Sequence, residues 1–342
     1  MQNDPAAGLA VLEEGLQKYP ALKSDATFFG TYLGAISRVK KKEAMPVISE
    51  ELLQFEKKGN LSEAGYNTLI GFYTRDKRKE KVDSLTAAMK LAYPDGDWKK
   101  TEAGMLFAKE KDLAKKTALY EDFIRQFPPN DATKAGVDNL RSQLANAYAG
   151  AKDYDKFQQW NSSLAKSAAA MNSNNLAWKM AENDDNIELA KKMAYDATMY
   201  AKGEVEKPSD KKPEGMTSKQ WKQQRETNYA MFGDTYAFIL YKLGDFKTAY
   251  PIAKDAATIN KLKDPEYNER YALLAEKTLP STESKKLIEQ FVKDGVASSK
   301  TKEALKNIYV KEKSSEAGFD TYLAALEADA KIKKRDEIAK SI

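Results

Sequence analysis

The chain has 342 residues, of which 42% are hydrophobic and 31% charged, with only 11 Pro and 17 Gly, a helix-rich balance with little demand for turns. Its 56 basic and 51 acidic residues leave a net charge of +5. They are finely mixed and form no basic face, so no nucleic-acid partner is expected. Cys and His are both absent, which excludes disulfide staples, thiol chemistry, Cys–His nucleophile pairs and ordinary zinc sites within these residues.

Taken in chain order, the opening MQNDPAAG lacks the basic and apolar regions of a signal peptide, as in a cytosolic protein or a processed form of an exported one. Gly8, Leu12, Gly15 and Leu16 then line one face of an amphipathic helix that ends at Pro20. These residues suit the second helix of a hairpin, so the chain is expected to begin midway through a unit or with a capping helix. Tyr66, Leu69 and Tyr73 lead toward Pro94, and Gly104, Phe107, Leu113, Tyr120 and Phe123 lead toward Pro128. The two prolines are 34 positions apart (128 − 94), which matches the period and terminal proline of the tetratricopeptide repeat.

From Asp138 onward the hairpins share a register. Leu144, Ala145 and Tyr148 line a first helix, Asp153-Tyr154 makes the turn, and Phe157 stands where a small residue is expected, so this hairpin should splay. In the next, Leu176, Ala177 and Met180 face Ala190, Ala194 and Ala197 across a turn at Asp184-Asp185. Residues 201–226 hold Pro208, Pro213 and Gly215 among dense charges, and read as an exposed insertion with a new helix capped near Thr217-Ser218. Trp221 is its one large apolar residue and is expected to pack back onto the neighbouring hairpin.

The fullest copy is Asp234 to Ala256. Tyr236, Ala237 and Leu240 mark its first helix, Gly244-Asp245 breaks it, and Phe246, Ala249, Ala253 and Ala256 mark the second. Beyond Asn260 the units shorten to 266–277, 282–294 and 300–310. A last helix from Glu316 carries Leu323, Leu326 and Ile332 on an apolar stripe that fades after Lys331. The expected fold is all-α, an α-α superhelix of stacked antiparallel helical hairpins resembling a tetratricopeptide solenoid. Its expected divisions are 1–130, 131–260 and 261–342. No apolar run approaches the roughly 18–20 residues of a membrane span.

Nothing in the sequence announces catalysis. Glu13-Glu14 and Glu50-Glu51 are adjacent on helices and point about 100° apart, so neither pair converges on one substrate. Asp184-Asp185 sits in a turn without the Gly and distal Glu of a calcium loop. Glycine-rich phosphate cradles are lacking too, and no catalytic, metal or cofactor-binding residue is assigned. The candidate site is instead a groove for a protein or peptide, with Phe238 and Tyr241 flanking the core positions of their helix and facing inward beside Asn146 and Asp234. A clamp for a C-terminal carboxylate is not supported, because its basic positions hold Ser142 and Asp234, and Asp234 would repel a carboxylate.

Four segments occur in a telling order: LAWKMAENDDNIELAKKMAYDA, MTSKQWK, NYAMFGDTYAFILYKLGDFKTA and GFDTYLAALEADAK. Together they resemble the helical region that precedes a thioredoxin-like domain in exported bacterial thiol–disulfide oxidoreductase-like (redoxin) proteins. The Trp-Cys-x-x-Cys motif of those proteins is missing here, so no catalytic residue carries over. The resemblance implies a helical module, or a relative lacking the redox domain, in an extracytoplasmic setting. The function expected is a non-catalytic scaffold or interaction module, serving a protein partner or a thioredoxin-like domain in the same chain. The alternative is part of an oxidoreductase whose catalytic domain lies outside these residues.

Overall fold

A computed structural model describes residues 4–57, 61–130, 133–209 and 211–341. Among them every regular element is helical, α1 to α17 with two short 3-10 turns, and the helices pack on their neighbours in sequence order. The all-α hairpin solenoid is the fold observed. Two compact units divide between Pro128 and Pro129.

The first unit contains α1 (Pro5–Lys18), α2 (Ala26–Lys40), α3 (Ala44–Lys57), α4 (Glu63–Arg75), α5 (Lys79–Ala92), α6 (Trp98–Lys109) and α7 (Leu113–Gln126). On α1 the expected face holds at Leu12 and Leu16, which pack beside Leu9, buried in place of the expected Gly8. The centre of the core comes from α2 and α3, where Phe29, Leu33, Ile36, Ile48, Leu52 and Phe55 are buried. Phe29 and Phe55 stack with centroids 4.3 Å apart and planes 20° from parallel. Asp4, Asp25, Ser62 and Asp112 cap the helices that follow them by accepting from exposed backbone N–H groups. The start of α6 is capped from a distance. Glu63 accepts from Asp97 N and Trp98 N at 2.9 and 2.5 Å. Gly96 makes room for it, since a Cβ there would lie 2.5 Å from Glu63 Oε2.

The second unit contains α8 (Lys134–Gly150), α9 (Tyr154–Asn161), α10 (Lys166–Glu182), α11 (Ile187–Glu206), α12 (Ser218–Lys242), α13 (Phe246–Ile259), α14 (Pro265–Thr278), α15 (Ser281–Lys293), α16 (Ser299–Lys313) and α17 (Phe319–Ser341). From α8 to α14 each even-numbered helix pairs with the next helix as a hairpin, and each touches the next even-numbered one, so α8, α10, α12, α14 and α16 form a continuous layer; α17 packs on α15. Packing is continuous across residue 260, where α13 packs on α14.

The alanine register is confirmed in atoms. Ala177, Ala190, Ala194, Ala197, Ala237, Ala249, Ala253 and Ala256 are all buried. Helix separation depends on the side chains between the axes, and alanine permits the short end of the range. Turns repeat as well. In the turn at Gly244 (φ +79°) the Asp245 N–H reaches Leu240 O, and in the turn at Lys152 (φ +60°) the Asp153 N–H reaches Tyr148 O. This is the left-handed helix stop that glycine adopts without strain.

Two expectations need correction. Residues 201–206 belong to α11, with Ala201 continuing its buried alanine series and Glu204 also buried. Residues 218–226 open α12, behind a capping box between Thr217 and Gln220. The connection between the helices is therefore residues 207–217 rather than 201–226. On α17 the stripe stops at Leu326, and Ile332 is exposed.

Candidate functional site

The four groove residues do not form one cluster. Asn146 projects from α8 into a groove against α10, of about 400 Å³, also lined by Asn175, Lys179 and Asp185. At its rim Asp185 Oδ2 accepts from the Tyr154 hydroxyl at 2.7 Å and pairs with Lys152 Nζ at 2.8 Å. Lys152, then Tyr154, hold that carboxyl below its usual range. Burial, then the hydrogen bond to Asp185, push the Tyr154 phenol up to about 12.

Asp234 lines a second groove, of about 360 Å³, between α10, α12 and α14, together with Asn174, Trp178, Lys179, Thr235 and Tyr267. It does not stand as a free negative charge. Arg270 on α14 donates to both oxygens, Nε to Oδ1 and Nη2 to Oδ2, each at 3.2 Å. Burial pushes the Asp234 carboxyl upward and the Arg270 guanidinium opposes it. The repulsion expected of Asp234 toward a carboxylate is thus largely neutralised by a cation one repeat further along. Arg270 carries no local signal in the sequence; its offset of 36 residues from Asp234, close to one repeat, is the signal that points to it.

Phe238 is engaged rather than open. Its ring lies 5.1 Å from the Trp178 ring, and the Arg270 guanidinium sits 4.4 Å from its centroid. Trp178 is accordingly only half-buried, on the even-helix layer. Tyr241 packs on Phe246 at the α12–α13 turn, 5.4 Å between centroids, and neither it nor Phe238 lines either groove. Ser142 is likewise occupied, hydrogen-bonded to Asn172 at 2.9 Å.

One residue unmarked in the sequence stands out. Asn174 is 3% exposed and lines the second groove, yet its Oδ1 accepts no hydrogen bond. A buried amide oxygen without a donor costs roughly 1–3 kcal/mol. The polar edges of both grooves can hydrogen-bond a backbone, and Trp178 and Tyr267 supply flat apolar surface. Among the described residues no three acidic side chains gather as a metal ion would require.

No family model matches this chain, and no curated protein matches it. No helix among the described residues is long and apolar enough to cross a membrane.

Proposed function

We propose that this chain is a non-catalytic helical-repeat interaction module that holds an extended peptide segment of a protein partner along the layer formed by α8, α10, α12 and α14. The observation that carries this reading is the unpaired Asn174 Oδ1. An extended peptide offers backbone N–H groups at regular intervals, and one of them would satisfy this acceptor. Asn146 and Asn175 add amides able to donate and accept, while Lys179 lines both grooves and favours an acidic or carboxylate-bearing segment. A displayed random-peptide library panned on the full chain tests it. Enriched peptides should bind Asn174→Leu at least tenfold more weakly, with the helical signal of the variant unchanged. No enrichment, or undiminished binding to Asn174→Leu, would refute it.

A second reading rests on the segment order that resembles the helical region of exported redoxin-like proteins. On it, the module positions a thioredoxin-like domain of the same protein outside the cytoplasm. The native reading frame beyond Ile342 decides: a Trp-Cys-x-x-Cys motif supports it, and an immediate stop codon removes it.

A further inference from the structure

Trp221, Tyr200 and Phe232 wall a third cavity, of about 400 Å³, bounded by the start of α10, the last turns of α11 and the first half of α12. It shares no lining residue with the groove at Asn174, so it stands independently of the peptide reading. The long helix α12 supplies one wall along its first half. Its 25 residues extend about 37 Å, against about 21 Å for the 14 of α13. Ala201 and Phe232, part of a small buried cluster with Ala170 and Ala197, supply an apolar floor.

Arg225 projects from the overhanging turns of α12. Its guanidinium lies 4.7 Å from the centre of the Trp221 ring, and its Nε and Nη1 are buried yet donate to nothing. Buried charged donors are seldom left unpaired, because their lost hydration is then uncompensated. Glu204 also lines the cavity, but the backbone N–H and hydroxyl of Ser209 already donate to it. With Lys211, the described lining carries two cations and one carboxylate, a net positive charge of one.

The geometry points to this cavity as a binding site for a small monocarboxylate with an aromatic body, anchored by Arg225. The planar guanidinium matches a carboxylate, and the rings of Trp221, Tyr200 and Phe232 flank the arene. A volume of about 400 Å³ falls within the roughly 300–1,000 Å³ of small-molecule sites. A phosphate dianion fits less well, since its charge exceeds the single positive excess and the walls are apolar. The same chemistry is presented by a free aryl acid and by the C-terminal carboxylate of a chain ending in an aromatic residue.

Titration calorimetry on the full chain with phenylpropionate, N-acetyl-phenylalanine and phenylpropionamide tests the site. Both carboxylates are expected to bind the parent, with the amide at least tenfold weaker. Tighter binding of phenylpropionate assigns a free acid, and tighter binding of N-acetyl-phenylalanine assigns a chain terminus. Arg225→Met should bind both carboxylates at least tenfold more weakly without a lowered melting temperature, since the donors removed had no partner. Arg225→Lys, which keeps the charge but loses the planar fork, should fall between. No heat from either carboxylate, or equal binding by the amide, would overturn the proposal. So would an Arg225→Met protein that binds carboxylates as the parent does.

Discussion

The two units solve the same packing problem with opposite side chains. Up to Pro128 the buried faces carry large residues, with Phe29, Ile36, Ile48 and Phe55 at the centre and Ala44 the one buried alanine among the described residues. Beyond Pro129 buried alanines recur on nearly every helix from α8 to α16, with larger residues between them. Large side chains hold helix axes apart and fill the space, whereas alanines bring the axes together and leave space to be filled from the next hairpin. The first unit should therefore be most sensitive to truncation, and the second to enlargement and to loss of the contacts that link successive even-numbered helices.

The largest effect is expected for Phe29→Ala. The ring is fully buried against Phe55, and removing it should cost about 4 kcal/mol in chemical denaturation. A loss below about 1 kcal/mol would show that the first unit is not built around this stack. In the second unit the comparable lesion is electrostatic. Arg270→Ala leaves Asp234 buried without its partner and should cost about 3 kcal/mol, while Asp234→Leu with Arg270→Leu together should recover much of that. A double loss equal to the sum of the Asp234→Leu and Arg270→Leu losses would mean that the pair is not coupled.

Enlargement comes next. Ala249 is fully buried between α12 and α13, and Ala249→Leu should cost about 2 kcal/mol by wedging the hairpin open. Thermal melts matching the parent would contradict the register. A smaller test applies one change to both units. Gly34 in α2 has nothing within 4 Å of an added Cβ, so Gly34→Ala should stabilise by about 0.5–1 kcal/mol. Gly233 in α12 would place that Cβ 3.1 Å from Ile252 Cγ2, so Gly233→Ala should gain less than Gly34→Ala. Equal gains would erase the contrast in packing between the units.

The smallest effect appears only in alkali. Burial first, then nearby carboxylates, push the phenols of Tyr229 and Tyr267 from 10.0 up to about 12. A phenol that holds its proton more tightly when folded contributes stability that is complete below pH 10.0 and lost as the pH rises toward about 12. Tyr267→Phe should change little at neutral pH and flatten the alkaline loss seen by denaturant titration. An unchanged slope would place that loss elsewhere.

The fold of the second unit was legible because alanines at helical spacing and Gly-Asp or Asp-aromatic turns are local signals. The hairpin of α2 and α3 carries no such signal. Its second helix carries Ile48, Leu52 and Phe55 where the later copies carry alanines, so the small-residue template passes over it. Charge density makes residues 201–206 look exposed, although Ala201 completes a buried series and Glu204 turns inward to hold Ser209. For the site, Asn146 and Asp234 were placed on grooves, but the roles of Asp234 and Phe238 depend on Arg270, which only the stacking of successive repeats brings to them. Tyr241 is taken up by Phe246 across the α12–α13 turn, a contact made by the next helix. Asn174 gave no local signal, since an unpaired acceptor becomes visible only when all of its neighbours are in place.

The central claim, that the even-helix layer of the second unit receives a peptide, is tested most directly by photo-cross-linking. A library-selected peptide with a photoreactive residue would be irradiated with the full chain and the labelled residues identified by mass spectrometry. The account predicts labels on α8, α10, α12 and α14 near Asn146, Asn175, Lys179 and Tyr267, suppressed by excess unlabelled peptide. Suppressible labels on α9, α11 and α13, or within α1 to α7, would contradict it.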